Sequence, residues 1–270
     1  MKTNCLLTAV ALLTCVATES VLAQSETDSA ARVARDVRRD ARDARRDAQV
    51  TRLLARDVQP EQPVADLTVG VAAARAEDDG HVVSTPIAFG YQTAGKTEWW
   101  KFELKGDGYV KVRTPDAPSA SGLGDLAFNV YHWLSPQLIG GLGLGIPSHG
   151  EVGSRDWSEN AKLVFHGDFG SSRWSYLLIG IAAHLHGAAA GTGSVSEALY
   201  GELDYNIGDR QTMLVNLSRG HQRGARGVTV FGLEYDFPIA KKWDGKLGAS
   251  RGLTRGARDT GVEFDVTYTF

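Results

Sequence analysis

From residue 66 to the end of the chain, hydrophobic and polar positions alternate with a period of two. At the C-terminus Val262, Phe264, Val266, Tyr268 and Phe270 fall on one face, and Gly261, Glu263, Asp265, Thr267 and Thr269 on the other. Successive side chains of an extended chain point to opposite sides, so this segment predicts a strand with one apolar and one polar face. Thr229, Phe231, Leu233, Tyr235 and Phe237 alternate in the same way with Val230, Gly232, Glu234 and Asp236. Leu199, Gly201, Leu203, Tyr205 and Ile207 alternate with Ala198, Tyr200, Glu202 and Asp204, and Met213, Val215 and Leu217 face away from Asn216 and Ser218. The pattern predicts strands at 66–76, 80–93, 96–105, 122–134, 137–147, 157–169, 173–186, 195–207, 210–219, 227–238, 243–254 and 259–270. Twelve is an even number, which leaves both ends of the sheet on one side. Two places strain this reading. Pro86 lies inside the second strand, where it removes a ladder hydrogen bond. Gly106-Asp107-Gly108 reads equally as a hairpin turn that would make 109–113 a separate strand, in which case 66–76 need not be one.

A soluble β-sandwich also alternates, with its polar face in water. Three features favour a transmembrane antiparallel up-and-down barrel of about 12 strands over residues 66–270. The first 23 residues read as an export signal. Aromatic residues recur near the expected strand ends (Trp133, Trp157, Trp174, Tyr205, Phe237, Trp243), as interfacial girdles require. Connections also alternate in length: Ser135-Pro136-Gln137, Gly170-Ser171-Ser172, Gly208-Asp209 and 238–242 are short, and 147–156, 187–194, 220–226 and 255–258 are mostly longer. Outer-membrane barrels have that asymmetry between periplasmic turns and outer loops. A closed barrel also satisfies every backbone group without water, which an open sheet in lipid cannot do.

Composition narrows the classes further. The 270 residues carry 29 Lys+Arg against 32 Asp+Glu, a formal net charge of −3, so no whole-chain basic field points to nucleic acid. Beyond the first two dozen residues no apolar run reaches the roughly 18–20 residues of a spanning helix, which excludes a multi-pass helical protein. Residues 1–23 predict a signal peptide: Lys2 is followed by an apolar run over 5–16, and Val21-Leu22-Ala23 fits a cleavage site before Gln24. Cys5 and Cys15 both lie in that segment. The processed chain would then hold no disulfide, thiolate metal site or cysteine nucleophile.

Residues 24–65 differ in composition from the alternating region. Between 25 and 58 Arg, Asp and Ala dominate, and Ala30, Ala34, Val37, Ala41, Ala44, Ala48, Thr51, Ala55 and Val58 step by four and three, which puts them on one seam of a charged α-helix. Arg32–Asp36 and Arg39–Asp43 support that helix by a few tenths of a kcal/mol each, while Asp36–Asp40 and Arg35–Arg39 oppose it. The helix is open to three roles in the periplasm: a solvated spacer, a self-association element, or a plug. Gln59-Pro60-Glu61-Gln62-Pro63 ends it as a short stiff linker.

Several barrel segments resemble a known family. Ser121-Gly122-Leu123-Gly124-Asp125-Leu126 opens a strand, Leu142-Gly143-Leu144-Gly145-Ile146-Pro147 follows one hairpin later, and Leu247-Gly248-Ala249-Ser250-Arg251-Gly252-Leu253-Thr254 precedes the last strand. Over residues 66–270 this order is similar to the outer-membrane family named for the meta-pathway of phenol degradation. The resemblance implies a barrel that admits small hydrophobic or aromatic molecules by diffusion, with no cofactor. This chain has Pro147-Ser148-His149-Gly150 where that family usually has a Pro-Thr-Gly turn, and the arginine helix is not part of the family pattern. The terminal Phe270 likewise resembles the end that barrel-assembly machinery recognises. The expected partners are thus outer-membrane lipid, that machinery, a small hydrophobic solute and either a periplasmic partner or a second copy through the 25–58 helix; no nucleic acid is expected. The expected location is the bacterial outer membrane, with the N-terminal helix in the periplasm.

Carrying the alternation through gives candidate pore-lining residues. Lys101 and Glu103 lie on an early strand, joined by Lys111 and Arg113 if 106–108 is a turn. Asp125, Asn129, Asn160, Lys162, His166, Tyr176 and His184 follow, and the late strands add Glu202, Asp204, Glu234, Asp236, Glu263 and Asp265. Acidic groups concentrate late and basic groups early. They read either as a salt-bridged interior that fills a narrow lumen or as a polar pore wall with a transverse field, and the two can coexist. His184 and His186 share one strand face and His166 falls on the expected neighbouring strand, so two imidazoles could join a metal site, but no nearby third ligand stands out and no metal is expected.

Two motif matches fail on context. Gly90-Tyr91-Gln92-Thr93-Ala94-Gly95-Lys96-Thr97 spells a phosphate-binding loop, which needs a following helix, yet 97–104 alternates as a strand and Ala94-Gly95 reads as a turn. Gly248-Ala249-Ser250-Arg251-Gly252 spells a nucleophile elbow without the strand–turn–helix that exposes its serine. No His-x-Ser pair of the outer-membrane phospholipase kind and no His-Glu-x-x-His is present. No enzymatic activity is expected. The expectation is a channel, or else a structural barrel whose helix acts as a tether or oligomerisation element.

Overall fold

An alternating run in extended form leaves its backbone N–H and C=O groups unpaired at both edges, and it must find neighbours on either side. In the computed structural model it finds them in the runs before and after it in the chain. The structure describes residues 63–270 except 76–79, 95–99, 115–116, 150–151, 153–156, 171–172, 187–193, 209, 223–226 and 255–259. The expected signal peptide, arginine-rich helix and most of the linker lie outside the described residues. Val64 and Ala65, assigned to the linker from sequence, belong to the first strand.

The described strands are β1 (Val64–Arg75), β2 (His81–Gln92), β3 (Trp100–Thr114), β4 (Ala117–Gly122), β5 (Leu126–Ser135), β6 (Leu138–Ile146), β7 (Ser158–Asp168), β8 (Trp174–Leu185), β9 (Ser194–Gly208), β10 (Gln211–Gln222), β11 (Val228–Ala240), β12 (Trp243–Gly252) and β13 (Thr260–Thr269). All neighbours pair antiparallel. The ring closes where β1 meets β13, from Asp66↔Thr269 to Arg75↔Thr260. Phe270 adds one more bond there, its backbone N–H donating to the Ala65 carbonyl at 2.9 Å.

Strands β4 and β5 are two pieces of one stave. Val110 on β3 faces Gly122 of β4, whereas 100–106 of β3 pair with 126–132 of β5. The break at Leu123-Gly124-Asp125 is spanned by the Gly124 N–H, which donates to the Asp107 carbonyl at 2.9 Å. The barrel therefore has twelve staves. Gly106-Asp107-Gly108 does not turn: β3 runs straight through it to Thr114, so 109–113 is not a separate strand and 66–75 is one. Lys111 and Arg113 consequently lie on the exposed face, opposite the buried Val110.

Pro86 is accommodated by irregularity on both sides. Against β3 the register shifts between Thr85 and Pro86, with Thr85 opposite Tyr109 and Pro86 opposite Asp107, so Gly108 is the extra residue of a bulge. Against β1, pairing holds at Val69↔Ile87 and Ala72↔Ser84 but not at the positions between them.

The rim where β1 begins and β13 ends holds tight turns: Pro136-Gln137 between β5 and β6, one at Arg210 between β9 and β10, and Lys241-Lys242 between β11 and β12. Arg210 sits there with φ of 62°, a left-handed conformation that suits a two-residue hairpin. Its guanidinium donates to the carbonyls of Ala240 (3.0 Å) and Trp243 (3.3 Å) and pairs with Asp244 (2.7 Å), tying one turn to the next. The opposite rim takes the longer connections over 147–157, 186–193 and 253–259.

The outer surface is apolar: Leu203, Met213, Val215, Leu217, Leu233, Leu247, Val262 and Phe264 are all exposed. At the rim with the tight turns it is ringed by aromatic pairs, among them Trp174–Tyr205, Tyr235–Phe237, Trp243–Tyr268 and Tyr268–Phe270, with centroids 4.7–5.5 Å apart. Trp157 is exposed at the opposite rim. Trp133, expected in the girdle, is not there. It shares the inward face of Tyr131 and packs on the interior cluster and against His166.

Candidate functional site: the barrel interior

Inward positions are set by strand parity, and cross-strand register decides which of them meet. On the early side Asn129 of β5 lies directly opposite Glu103 of β3, and Tyr131 opposite Lys101. The Asn129 amide donates to the Glu103 carboxylate at 2.8 Å, and the Tyr131 hydroxyl reaches the same oxygen at 3.3 Å. From β7 the Lys162 ammonium donates to Asn129 Oδ1 at 2.8 Å and to the Tyr131 hydroxyl at 3.3 Å. Lys105 stands 3.9 Å from Glu103, and Lys101 3.8 Å from Asp66 of β1. Lys101, Glu103 and Asn129 are no more than 1% exposed. A wide aqueous lumen would leave such side chains in water, so the interior at this level is filled by its own polar groups.

A second network sits on the late strands. Lys246 of β12 is cross-strand from Asp265 on β13 and Asp236 on β11. Its ammonium lies 2.8 Å from Glu263, 3.0 Å from Asp265 and 3.8 Å from Glu234. Asn216 of β10 donates to Glu234 at 2.6 Å. On β9 the Tyr200 hydroxyl donates to Glu202, and Asp204 accepts from Ser175 at 3.4 Å.

Between the networks the wall changes character. Ile139, Val164, Leu177, Ile179, Ile181 and Ala198, with Tyr131 and Tyr200, form one buried apolar cluster on the inward faces of β5 to β9. Strand β8, at its middle, is half the ring away from β1. These side chains pack on one another and leave almost no surface to water.

Inward glycines let the long polar side chains lie flat on the wall. A Cβ at Gly143 would collide with Asn129 and Asn160, one at Gly232 with Asn216, and one at Gly70 with Asp265. The side chains thus occupy space above a neighbouring strand instead of projecting straight toward the barrel axis.

Most sequence candidates share this interior face: Lys101, Glu103, Asn129, Asn160, Lys162, His166, Glu202, Asp204, Glu234, Asp236, Glu263 and Asp265. Asp125, at the break between β4 and β5, accepts the Ser148 backbone N–H at 2.9 Å. Tyr176 and His184 do not join the wall. They lie on the face opposite the buried Leu177, Ile179 and Ile181, and Tyr176 packs against Phe165 and Phe169 of the outer belt. Sequence reasoning missed Asp66, Lys105 and Lys246. For Lys246 the alternation with exposed Leu247 was the available signal. Several inward polar atoms have no hydrogen-bond partner among the described residues, including Glu103 Oε1, Asn160 Oδ1 and Asp265 Oδ1. The motif matches meet strands: Gly90-Tyr91-Gln92 ends β2, and Gly248 to Gly252 lie within β12.

No protein-family model and no curated protein matches this chain. Among solved structures it is similar to an outer membrane channel from Pseudomonas putida F1, with a TM-score of 0.60 and 14% identity over 80% of this chain and 98% of that one. It is also similar to the translocator domain of autotransporter NalP from Neisseria meningitidis (TM-score 0.52, 15% identity, 86% and 98% covered). A third match is the KdgM porin in complex with disordered oligogalacturonate (TM-score 0.51, 12% identity, 76% and 99% covered). At these identities the likeness is one of fold: the chain is a closed twelve-stave antiparallel β-barrel, the architecture these three proteins share.

Proposed function

We propose that the protein is an outer-membrane channel that passes small hydrophobic or aromatic molecules by diffusion, without cofactor or catalysis. The observation that carries this reading is the apolar sector from Ile139 to Tyr200 set in an otherwise polar interior. Ile139, Val164 and Ile179 are fully buried, so passage requires this packed sector to part; an apolar solute that enters there keeps apolar contact, whereas a sugar loses water and gains no hydrogen bonds. The charged networks on either side narrow the remaining space. The resemblance to the phenol meta-pathway family points the same way, and Pseudomonas, Neisseria and porin barrels support an outer-membrane location. In this reading residues 1–23 direct export, the 25–58 helix stands in the periplasm, and Phe270 is the handle for barrel assembly.

The test is uptake into liposomes carrying the purified protein, comparing a hydrophobic aromatic with a sugar of similar size. Faster entry of the aromatic, lost in Ile179→Asp, supports the channel; equal entry of both solutes rejects the selectivity proposed here.

The near-complete burial of Lys101, Glu103 and Tyr131 favours a second reading, a structural barrel whose periplasmic helix is a tether or self-association element. Deleting residues 25–60 separates the two. A channel keeps its permeability without the helix, and a tether loses its partner while flux stays at the background of empty liposomes.

A further inference from the structure

The pairing of β7 with β8 sets Glu159 directly opposite His184, and His186 follows two residues later on the same face. Their donor atoms all lie within 4.8 Å of one another. His184 Nδ1 is 3.4 Å from His186 Nε2, and His186 Nε2 is 3.3 Å from Glu159 Oε1. A tetrahedral centre with metal–nitrogen and metal–oxygen bonds of about 2.0–2.1 Å has ligand–ligand edges of about 3.3–3.4 Å. Two edges of the cluster already have that length. The rings meet edge to face at 88°, so the two nitrogens are presented by separate rings that do not stack. The backbone holds the set: Ser158 pairs with Leu185, and the His186 N–H donates to the Trp157 carbonyl at 2.9 Å. The cluster stands at the rim with the longer connections, on the outer face, with Glu159 65% and His186 49% exposed. It is open to an ion arriving from solution.

We propose that Glu159, His184 and His186 bind one divalent transition-metal cation of the zinc type, leaving one coordination position open. Two imidazoles with a carboxylate select such ions over magnesium or calcium, which prefer all-oxygen shells. This site is separate from the interior and does not depend on whether solutes pass through it.

Zinc titrated calorimetrically into the full chain, folded in detergent, tests the proposal. One equivalent is expected to bind with micromolar or tighter affinity, with no competition from magnesium in excess. E159Q and H184A should each weaken binding at least about tenfold, the range reached even by changes one shell beyond the ligands. His149→Ala and His221→Ala, histidines outside the cluster, should leave it unchanged. Copper(II) bound in place of zinc should show nitrogen hyperfine coupling from two imidazoles, reduced to one in H184A. Glu159 is exposed and E159Q keeps its shape, so that variant tests the site without disturbing the fold. Absence of zinc binding overturns the proposal, as does equal affinity in wild type, E159Q and H184A. In that case the three side chains form only a hydrogen-bonded cluster.

Discussion

Lys246 shows how much one inward side chain carries. Its ammonium lies within 3.8 Å of Glu234, Glu263 and Asp265, and it is 3% exposed. Removing one partner of a buried ion pair costs about 3–5 kcal/mol, because charge is left buried without compensation. Lys246→Met should therefore lower the urea midpoint of the barrel by a corresponding amount. Adding Glu263→Gln and Asp265→Asn should recover most of the loss, and a single variant as stable as wild type would mean that water already balances those carboxylates. The three acids were legible from the period-two pattern. Lys246 was not singled out because Gly245 and Gly248 flank it in a strand with few large apolar residues. Tyr176 and His184 read as inward for the opposite reason. Strand β8 is apolar on both faces, with Leu177, Ile179 and Ile181 inside and Leu178 outside, so polarity there does not mark the lumen. Glu159 escaped notice because cross-strand register, which seats it opposite His184, is not contained in either strand alone.

Elements were legible wherever the alternation is regular, and boundaries fall within a few residues of those expected on β5 to β13. The region from 80 to 125 was harder because its signals have two meanings. Gly106-Asp107-Gly108 has the composition of a hairpin turn, yet Gly108 serves as the extra residue of a bulge and Gly124 as a bridge across a broken stave. Adding a Cβ at Gly124 would bring it against Asp107 and Val110. Pro86 fits the same logic: a residue without an N–H was placed where the ladder is already irregular on both edges. Pro86→Val should consequently change stability by less than about 1 kcal/mol. Leu233→Pro, in a regular stretch of β11 between β10 and β12, strands a buried acceptor at a cost of about 1–3 kcal/mol and adds ring clashes. Comparing the two by retention of the folded band in unheated detergent gels checks this, and a large loss from Pro86→Val would place the proline inside the working ladder.

At the scale of the whole barrel the two faces differ in chemistry. Leu217, midway along β10, is 49% exposed on the outer face, and Asn216 beside it is 1% exposed on the inner one. If lipid surrounds the barrel, Leu217→Arg should cost about 2–4 kcal/mol in vesicles, the range for arginine near the bilayer midplane. A cost near zero, measured by urea unfolding from lipid, would deny that this face meets acyl chains. The inner face is electrically uneven. Glu202, Asp204, Glu234, Asp236, Glu263 and Asp265 stand on β9, β11 and β13, with Lys246 among them, whereas Lys101, Lys105 and Lys162 stand on β3 and β7 beside Asp66 and Glu103. Carboxylates outnumber ammonium groups in this set, and the excess lies on the late strands, so the interior is most negative on that wall. Current through the barrel in a planar bilayer should then prefer cations. Glu234→Gln with Glu263→Gln should move the reversal potential under a salt gradient toward zero, because both carboxylates sit beside Lys246 and their loss leaves Asp265 to balance it. An unmoved reversal potential would take these residues off the conducting path and leave the apolar sector on β6 to β9 as the route for whatever crosses.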